Sequence, residues 1–529
     1  MSNPKAILVF SYLGLDPVEI TASRTTINAK LHSTAHTLKD VEVVSTGYQK
    51  ISRERSTAAY GFVDSTRLNR QLHTDIASAL EGQVAGYTYS NRYNLTGSIR
   101  WDEADLFGVN TNDQHHPLWS IGAGWNISEK DFMRSLTWLD YLKLRATYGV
   151  NGNVDQSSTT YFVATYKTQS NPVKTQYLKY DDDDLPNPDL RWEKTATTNF
   201  GIDFAVLDNR LSGSIDYYNR HASDLLVRKY MDPTVGAKSH VINNGEMRNR
   251  GIEFTLNATI YKNRDWNIGA TLTYAHNSNK MLAVDHSESD YASLFILSPT
   301  NYLWQGTSYN TLWAYTYSRT VNGYPVIKDE NGNEMATFDE QGHVKSVTTS
   351  SSLKGTAALR NMGTLTPPYN GSLNLHVGWR GLELNAFFVY AGGNKLRLPT
   401  ADLSTWDIAT NDITNQWSAT SNVPRLYLDM DKTAQAYAGT FSEWWRYSDV
   451  QVADADYIKL RSLSLAYTLP TQWTSAILLG QTRFSFQVNN LFTACKAGHH
   501  IDPESYSMNS GTRGMAIPRT FAIGLSTSF

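Results

Sequence analysis

About twelve stretches of the chain alternate apolar and polar residues over about nine to twelve positions each, roughly twice the length of an average soluble strand. In RYNLTGSIRWD the odd positions from Tyr93 to Trp101 are mostly apolar, and the even positions are polar. This period of two gives a strand one apolar and one polar face, and strands of this length cross a bilayer at a tilt. The other strands are predicted to begin near Leu118, Leu142, Thr195, Leu211, Gly251, Trp266, Tyr369, Leu382, Tyr457, Arg483 and Phe521.

The connections between these strands alternate strictly between short and long. LDNR, YKNRD and GWRG are tight turns, whereas the connections 151–194, 277–368 and 392–456 are long. Successive antiparallel strands reverse direction, so all short turns fall on one side, as in outer-membrane barrels. The pattern predicts an all-β fold, an antiparallel transmembrane β-barrel. In YIKLRSLSLAYTLP the apolar positions change parity, which predicts a β-bulge near Arg461.

Composition argues against several other classes. The net charge of −3 gives no electrostatic basis for binding nucleic acid. The single cysteine, Cys495, excludes an intramolecular disulfide and a multi-cysteine zinc site. No apolar run of about 18 residues predicts a membrane helix. The opening MSNPKAILVFSYLGLDPVEI lacks the pattern of a signal peptide, so we expect a cytoplasmic protein or a missing natural beginning.

Two dense clusters of ligand-type residues, HHIDPE at 499–504 and DDDD at 181–184, lie in predicted long connections. Acidic runs are usually solvated, and adjacent histidines rarely point at one ion, so we predict no metal site and no cofactor. The chain has no nucleophile elbow, phosphate-binding loop or dinucleotide motif. We therefore expect a protein that is not an enzyme.

Several stretches resemble, in order, signature sequences of the SusC/RagA-type TonB-dependent outer-membrane transporters. They are LPNPDLRWEKTATTNFGIDFAVLDNRLSGSIDYYNRHASDLL, NNGEMRNRGIEFTL, TPPYNGSLNLHVGWRGLELNAFFVYAGGNK, DADYIKLRSLSLAYTLP and PRTFAIGLSTSF. The resemblance implies an outer-membrane barrel, in contact with lipid, that imports glycans, oligosaccharides or, in some members, peptides. It also implies a SusD-like lipoprotein lid and opening of a plug by TonB.

The resemblance divides the chain into three parts. Residues 1–38 resemble the end of a carboxypeptidase-regulatory-like domain, 39–86 the TonB-box region and the start of the plug, and 87–529 the C-terminal part of the barrel, roughly 12 of 22 strands. The implied box, which adds as a strand to TonB, comprises Asp40, Val41, Glu42, Val43 and Val44. The same residues also fit an ordinary buried strand.

The final strand resembles the signal that the barrel-assembly machinery reads. Its implied residues are Phe521, Ile523, Leu525 and Phe529. Aromatic residues of the longest connections are possible contacts for a sugar or for the lid, although packing of loop on loop explains them equally well. They are Trp304, Trp313, Tyr315, Tyr317, Trp406, Trp417, Trp444 and Trp445.

The resemblance departs from the family pattern after Gly86, where most of the plug and the first barrel strands are expected. We therefore expect this chain to hold about half of the family's architecture and not to be a competent energised transporter by itself. Its strands would form either a re-closed barrel, with the first strand beside the last, or an incomplete curled sheet. The alternatives are a non-energised or remnant outer-membrane pore and a soluble sugar-binding all-β protein.

Overall fold

A computed structural model of the chain describes most residues from 93 onward and four short strands before them. The described ranges are 7–12, 15–21, 43–45, 50–52, 93–103, 115–133, 135–154, 165–169, 174–179, 189–230, 232, 234, 239–285, 290–400, 402–404, 424–474, 479–499 and 501–528. The chain forms two compact units, Met1–Tyr87 and Thr88–Phe529.

The described residues are mostly in strands. In chain order these are β1 Ile7–Tyr12, β2 Leu15–Thr21, β3 Val43–Ser45, β4 Lys50–Ser52, β5 Tyr93–Glu103, β6 His115–Asn126, β7 Leu139–Asn153, β8 Thr165–Thr168, β9 Gln176–Lys179, β10 Glu193–Val206, β11 Leu211–Tyr230, β12 Ser239–Lys262, β13 Trp266–Ala283, β14 Thr311–Tyr315, β15 Tyr317–Val321, β16 Tyr324–Ile327, β17 Ala336–Phe338, β18 Val344–Val347, β19 Leu359–Thr364, β20 Tyr369–Trp379, β21 Leu382–Gly392, β22 Lys395–Arg397, β23 Val452–Asp454, β24 Tyr457–Thr468, β25 Thr482–Cys495 and β26 Thr520–Thr527.

Helices are few and short in the same ranges. The α-helices are α1 Ala292–Leu297, α2 Lys432–Gln435, α3 Ala438–Arg446 and α4 Thr471–Thr474. The 3-10 turns are Ile127–Glu129, Asp131–Met133, Ser350–Ser352, Tyr427–Asp429, Asp449–Gln451 and Pro503–Ser505. Among the helices that the structure describes, none is both long and apolar enough to cross a membrane.

The second unit is built on one 12-stranded antiparallel sheet, which we call the wall. Its order is β26-β25-β24-β21-β20-β13-β12-β11-β10-β7-β6-β5, so β5 and β26 stand at its two ends. The predicted fold class is confirmed, and eleven of the twelve strands begin within three residues of their predicted starts. The closure of the wall stays a prediction.

The exception is β12, which begins at Ser239 and not near Gly251. Its first half, paired with the second half of β11, has the sequence SHVINNGEMRNR and lacks a regular apolar alternation. A strand that continues into water beyond the bilayer does not need an apolar face, so the periodicity marked only the second half.

Tight turns join the strands at the predicted short connections. Leu207, Asp208 and Asn209 have positive φ between β10 and β11, and Arg380 and Gly381 do so between β20 and β21. A two-residue turn with positive φ at both positions matches the right-handed twist of the strands that it joins. The predicted bulge is also confirmed, because Ser462 pairs with Phe387 and Leu460 with Phe388, which leaves Arg461 unpaired.

The two faces of the wall differ as the alternation predicts. One face, here the apolar face, exposes large side chains such as Leu95 (67%), Phe200 (55%) and Ile523 (86%). The other, the polar face, carries Thr96, Asn199 and Asp203 among its residues. An exposed apolar face of this size is costly in water and favourable in lipid.

Charged side chains tie neighbouring strands together on the polar face. Arg145 donates two hydrogen bonds to the Asp203 carboxylate, at 2.7 and 2.8 Å, and one to Asp216 at 3.0 Å. It reaches Asp216 by crossing Gly201, where an added Cβ would lie 2.7 Å from the guanidinium. A glycine within a strand is costly unless something approaches closely, and here the arginine uses the space.

The first unit is described only by two antiparallel hairpins, β1 with β2 and β3 with β4. Val43 and Val44 of the predicted TonB box lie in β3 and pair with Ser52 and Ile51, while residues 40–42 lie outside the described residues. The domain boundaries and the box therefore stay predictions.

Candidate functional site

The largest hydrophobic core of the described residues lies in the long connections and not in the wall. Connections 284–368 and 393–456 contribute its buried side chains, including Phe295, Tyr324, Ile327, Phe441 and Trp444. We call these two connections, with the core they share, the loop assembly. Since the wall has water or lipid on each face, the loop assembly is where side chains can be enclosed from all sides.

Helix α3 supplies the centre of this core. Phe441 and Trp444 are three residues apart, so both side chains lie on one face of the helix, and both are fully buried. Their rings meet edge to face with centroids 5.7 Å apart, and Tyr324 lies 5.2 Å from Phe441. Aromatic pairs in this geometry add to the stabilisation from burial.

A partly buried polar contact fixes α3 against the first long connection. Glu443 accepts hydrogen bonds from the Tyr315 hydroxyl at 2.6 Å and from the Ser350 hydroxyl at 2.9 Å. Burial, and then the neighbouring Glu443 carboxylate, raise the pKa of Tyr315. The hydroxyl therefore stays protonated and remains a donor to the partly buried Glu443 carboxylate.

The predicted contact aromatics divide into three groups. Trp313, Tyr315 and Trp444 are buried within the loop core. Trp304, Tyr317 and Trp445 are partly buried, with Trp304 edge-on to Phe295 at 5.6 Å and Tyr317 edge-on to Trp445 at 6.2 Å. Trp406 and Trp417 lie outside the described residues. A ring without exposed surface has no face for a ligand in this arrangement, so contact with a sugar or a partner stays a prediction carried by the partly exposed rings.

The last long connection, 496–519, joins the two halves of the loop assembly. Its segment Met508–Gly511, here the bridging turn, receives hydrogen bonds from Arg397 at the carbonyls of Met508 (2.8 Å) and Asn509 (2.7 Å). Asn509 in turn donates to the Ile296 carbonyl at 2.9 Å. Gly511 has a φ of +68°, and a Cβ there would lie 2.7 Å from the Leu398 carbonyl oxygen, so glycine is required.

Arg397 is the buried charge at the centre of this junction. Its side chain is fully buried, donates to the Trp313 carbonyl and lies 4.9 Å from the Tyr447 ring centroid. Burial lowers the pKa of Arg397 to about 10. The guanidinium stays charged at neutral pH and uses backbone carbonyls and an aromatic face to offset its lost hydration.

A second buried cation holds the same connection against the wall. Lys459 of β24 is 1% exposed, and its Nζ donates to Asp502 at 2.9 Å and Glu504 at 2.7 Å. Arg461, the bulge residue, also contacts Glu504, with Nη1 at 3.0 Å. Burial raises the pKa of Glu504, but the hydrogen bonds from Lys459 and Arg461 outweigh it and leave that pKa lowered. These two carboxylates of the HHIDPE cluster therefore bind cationic side chains.

The described residues contain no group of three or more His, Cys, Asp or Glu side chains placed to hold a metal ion. The DDDD run and His500 lie outside those residues. Sequence reasoning missed Arg397 and Lys459. For Lys459 the available signal was its pairing with Arg461 on a strand otherwise poor in charge. For Arg397 the sequence shows only the apolar run 312–315 of β14, which marks a buried strand and contains the Trp313 carbonyl that Arg397 binds.

Comparisons with known proteins identify the architecture. A family model described as "TonB dependent receptor-like, beta-barrel" matches residues 20–491. A TonB-dependent receptor of Formosa agariphila is 26% identical and matches over 91% of this chain and 50% of its own. TonB-dependent receptor SusC of Bacteroides thetaiotaomicron is 27% identical over 84% of this chain and 43% of its own. The chain thus spans about half the length of the curated relatives it matches.

Solved structures agree on the fold. The structure of the RagAB peptide importer in the "closed-closed" state matches with a TM-score of 0.63 and 24% identity, over 84% of this chain and 46% of that chain. The structure of the RagAB peptide transporter matches with a TM-score of 0.62 and 23% identity. At these identities the similarity concerns the fold.

Proposed function

Because the chain belongs to the TonB-dependent receptor-like β-barrel family, we propose that it forms barrel wall and outer loops of an outer-membrane importer of bulky nutrients. The observation that carries the proposal is the 12-stranded wall, which is apolar on one face, polar on the other and surmounted by a packed loop assembly. A wall of this kind separates lipid from an aqueous path, and fixed loops can present a binding surface at its mouth.

The cargo is a glycan, an oligosaccharide or a peptide. These are the classes that the sequence resemblance to the SusC/RagA-type transporters implies, and one relative of this chain is named TonB-dependent receptor SusC. The partly exposed rings of Trp304, Tyr317 and Trp445 offer faces for sugar rings or for a SusD-like lipoprotein partner. The proposed activity is transport and not catalysis.

Energy for import comes from TonB acting on residues Asp40–Val44. An extended segment binds by adding a strand to its partner, which requires backbone N–H donors. Because this chain is expected not to import cargo by itself, the test is binding: Val43→Pro removes one donor and is expected to abolish capture of the purified chain by the periplasmic domain of TonB. Ile51→Val serves as the control. Capture of the Val43→Pro chain by TonB at the wild-type level would show that this segment does not couple to TonB.

An ungated pore is the alternative function, and liposome swelling separates it from an importer. A closed but ungated barrel admits small sugars constitutively, whereas a gated importer does not. The exposed apolar face of the wall disfavours a soluble sugar-binding protein, since Ile523 and Leu525 would face water. Partition of the protein into detergent and heat-modifiable migration on gels test this point.

Assembly uses the last strand as its signal. Phe521, Ile523 and Leu525 all lie on the apolar face of β26, and Phe529 lies outside the described residues. Deletion of Phe529 is expected to lower the outer-membrane level of the protein, whereas Met515→Ala, in an exposed part of the last connection, leaves it unchanged. Equal levels for the two variants would contradict an assembly role for the terminal aromatic.

A further inference from the structure

A groove of about 720 Å³ crosses the apolar face of the wall over strands β5, β6, β7, β10 and β11. Its volume is in the range of sites that hold small molecules, about 300–1,000 Å³. Large side chains form its walls, including Tyr93, Leu95, Trp125, Phe200 and Tyr217. Arg145 and Gly201 also border the groove, but the Arg145 side chain is hydrogen-bonded to Asp203 and Asp216 on the polar face, so the groove opens on the opposite, apolar face.

The groove exists because two small residues are neighbours in a row of large ones. Ala123 of β6 pairs with Ala146 of β7, and this pair is flanked by Leu95 on β5 and Phe200 on β10. The next row of the same face contains Tyr93, Trp125 and Leu144. The two alanine methyl groups are shorter than the aromatic and branched side chains around them, and this leaves a depression that runs across the strands.

An apolar depression in a membrane wall is filled by acyl chain. A gap on one side of a side chain forfeits the dispersion contacts that a close neighbour would give. An acyl chain restores these contacts without removing any polar group from water. The groove is fixed by the backbone and the aromatic side chains, so it can hold one chain in one place.

A cation marks one end of the groove. The Nζ of Lys130, in the short connection between β6 and β7, lies 4.8 Å from the ring centroid of Tyr93. Tyr93 stacks on Trp125 with ring centroids 6.4 Å apart. Tyrosine and tryptophan rings of this kind lie at the level of lipid headgroups, where a lysine attracts phosphate. Acyl-chain space and a basic group therefore occur together at a single site.

We propose that this groove binds one phospholipid, with an acyl chain over Ala123 and Ala146 and the phosphate beside Lys130. The inference rests on the outer-membrane placement in the proposed function and is independent of the cargo. The short-turn side of the wall then faces the leaflet that contains phospholipid, which the position of Lys130 requires.

Native mass spectrometry of the purified full chain tests the proposal. Protein in a mild detergent is titrated with phosphatidylglycerol or with diacylglycerol of the same chains. Ala146→Phe fills the groove and is expected to lower the occupancy of tightly bound phosphatidylglycerol about tenfold, and the smaller Ala146→Leu lowers it less. Ala386→Phe, on the same face of β21 but outside the groove, is expected to bind as wild type.

Substitution of Lys130 separates the contribution of the headgroup to lipid binding from that of the acyl chains. Lys130→Glu is expected to weaken the binding of phosphatidylglycerol and to leave the binding of diacylglycerol unchanged, since only the phosphate contacts Lys130 in the proposed site. Equal lipid retention by Ala146→Phe and Ala386→Phe, with both folded by heat-modifiable migration, would overturn the proposal. Failure of the wild-type chain to enter membranes at all would instead contradict the proposed function.

Discussion

The wall and the loop assembly are two ways of building a stable structure from the same chain. No wall residue that the structure describes belongs to the main hydrophobic core: Leu95 is 67% exposed, and the wall strands are held by backbone ladders. The loop assembly encloses Trp444, Phe441 and Tyr315 completely, as a water-soluble domain would. The contrast follows from the solvent, because lipid stabilises an exposed apolar face and water requires that apolar groups be enclosed. Large-to-small substitutions should therefore separate the two regions.

The largest effect is expected in the loop core. Trp444→Ala should destabilise the loop assembly by about 3–5 kcal/mol, because it empties a fully buried site. The same change at Trp125, which is 36% exposed on the apolar face, should cost about 1 kcal/mol or less. Urea-dependent proteolysis of the long connections measures the first, and heat-modifiable migration reports on the second.

Trp444→Phe is the matched control for the core variant. Within the described residues the Trp444 Nε1 donor has no hydrogen-bond partner, so the substitution removes apolar volume without breaking a polar contact. We expect a loss of about 1–2 kcal/mol. Equal costs for Trp444→Ala and Trp125→Ala would show that the loops and the wall are not stabilised differently.

The next largest effect is expected where the loops meet the wall. Lys459→Met leaves Asp502 and Glu504 facing each other without their shared cation, and should cost about 3 kcal/mol. The last long connection should then become sensitive to protease. The Lys496 side chain, by contrast, is 61% exposed beside Asp454, so Lys496→Met should change the free energy of unfolding little and provides the comparison. Similar protease sensitivity in both variants would show that Lys459 does not anchor the last long connection to the wall.

Within the wall, the sharpest test concerns the space that Gly201 leaves for the Arg145 side chain. Gly201→Ala should cost about 1–3 kcal/mol because the added methyl group displaces Arg145 from Asp216. In an Arg145→Ala background the same change should cost less, because only the Asp216 Oδ1, 2.7 Å from the added Cβ, must then move, so the two effects should not add. Gly97→Ala, with no neighbour closer than 4.0 Å, is the control. Unfolding of detergent-refolded protein in urea measures all three.

The smallest effect expected is a dependence on pH in the loops. Hydrogen bonds from Lys395 and Lys496 lower the pKa of Asp454 to about 2. A lowered pKa stabilises the folded state above the unfolded value of about 3.9 and loses this contribution as the pH falls toward 2. Because the Asp454 side chain is 33% exposed, solvent screens its ion pairs and the loss should be at most about 1 kcal/mol. Asp454→Asn should remove it, as hydrogen exchange of β22 and β23 between pH 4 and 2 would show.

Sequence alone predicted the wall better than the loop assembly, for a physical reason. Every wall strand repeats the same alternation of apolar and polar residues, so each strand's two faces can be assigned from its own sequence, as in RYNLTGSIRWD. The change of parity in YIKLRSLSLAYTLP likewise indicates the bulge at Arg461 without knowledge of the neighbouring strands. The loop core depends on contacts between distant segments, such as Tyr315 with Glu443 and Arg397 with Asn509. No local period records such contacts, and Trp444 therefore looked as available for a ligand as Trp304.

The assignment of lipid and water to the two faces of the wall is tested most directly by single-cysteine labelling of β5. Leu95 and Ile99 on the apolar face and Thr96 and Ser98 on the polar face are all exposed, so burial within the protein cannot explain a difference in reactivity. Each is replaced by cysteine in a Cys495→Ser background and treated with a membrane-impermeant maleimide in proteoliposomes. We predict labelling at Thr96 and Ser98 and protection at Leu95 and Ile99; equal labelling at all four positions, or the reverse preference, would contradict the account.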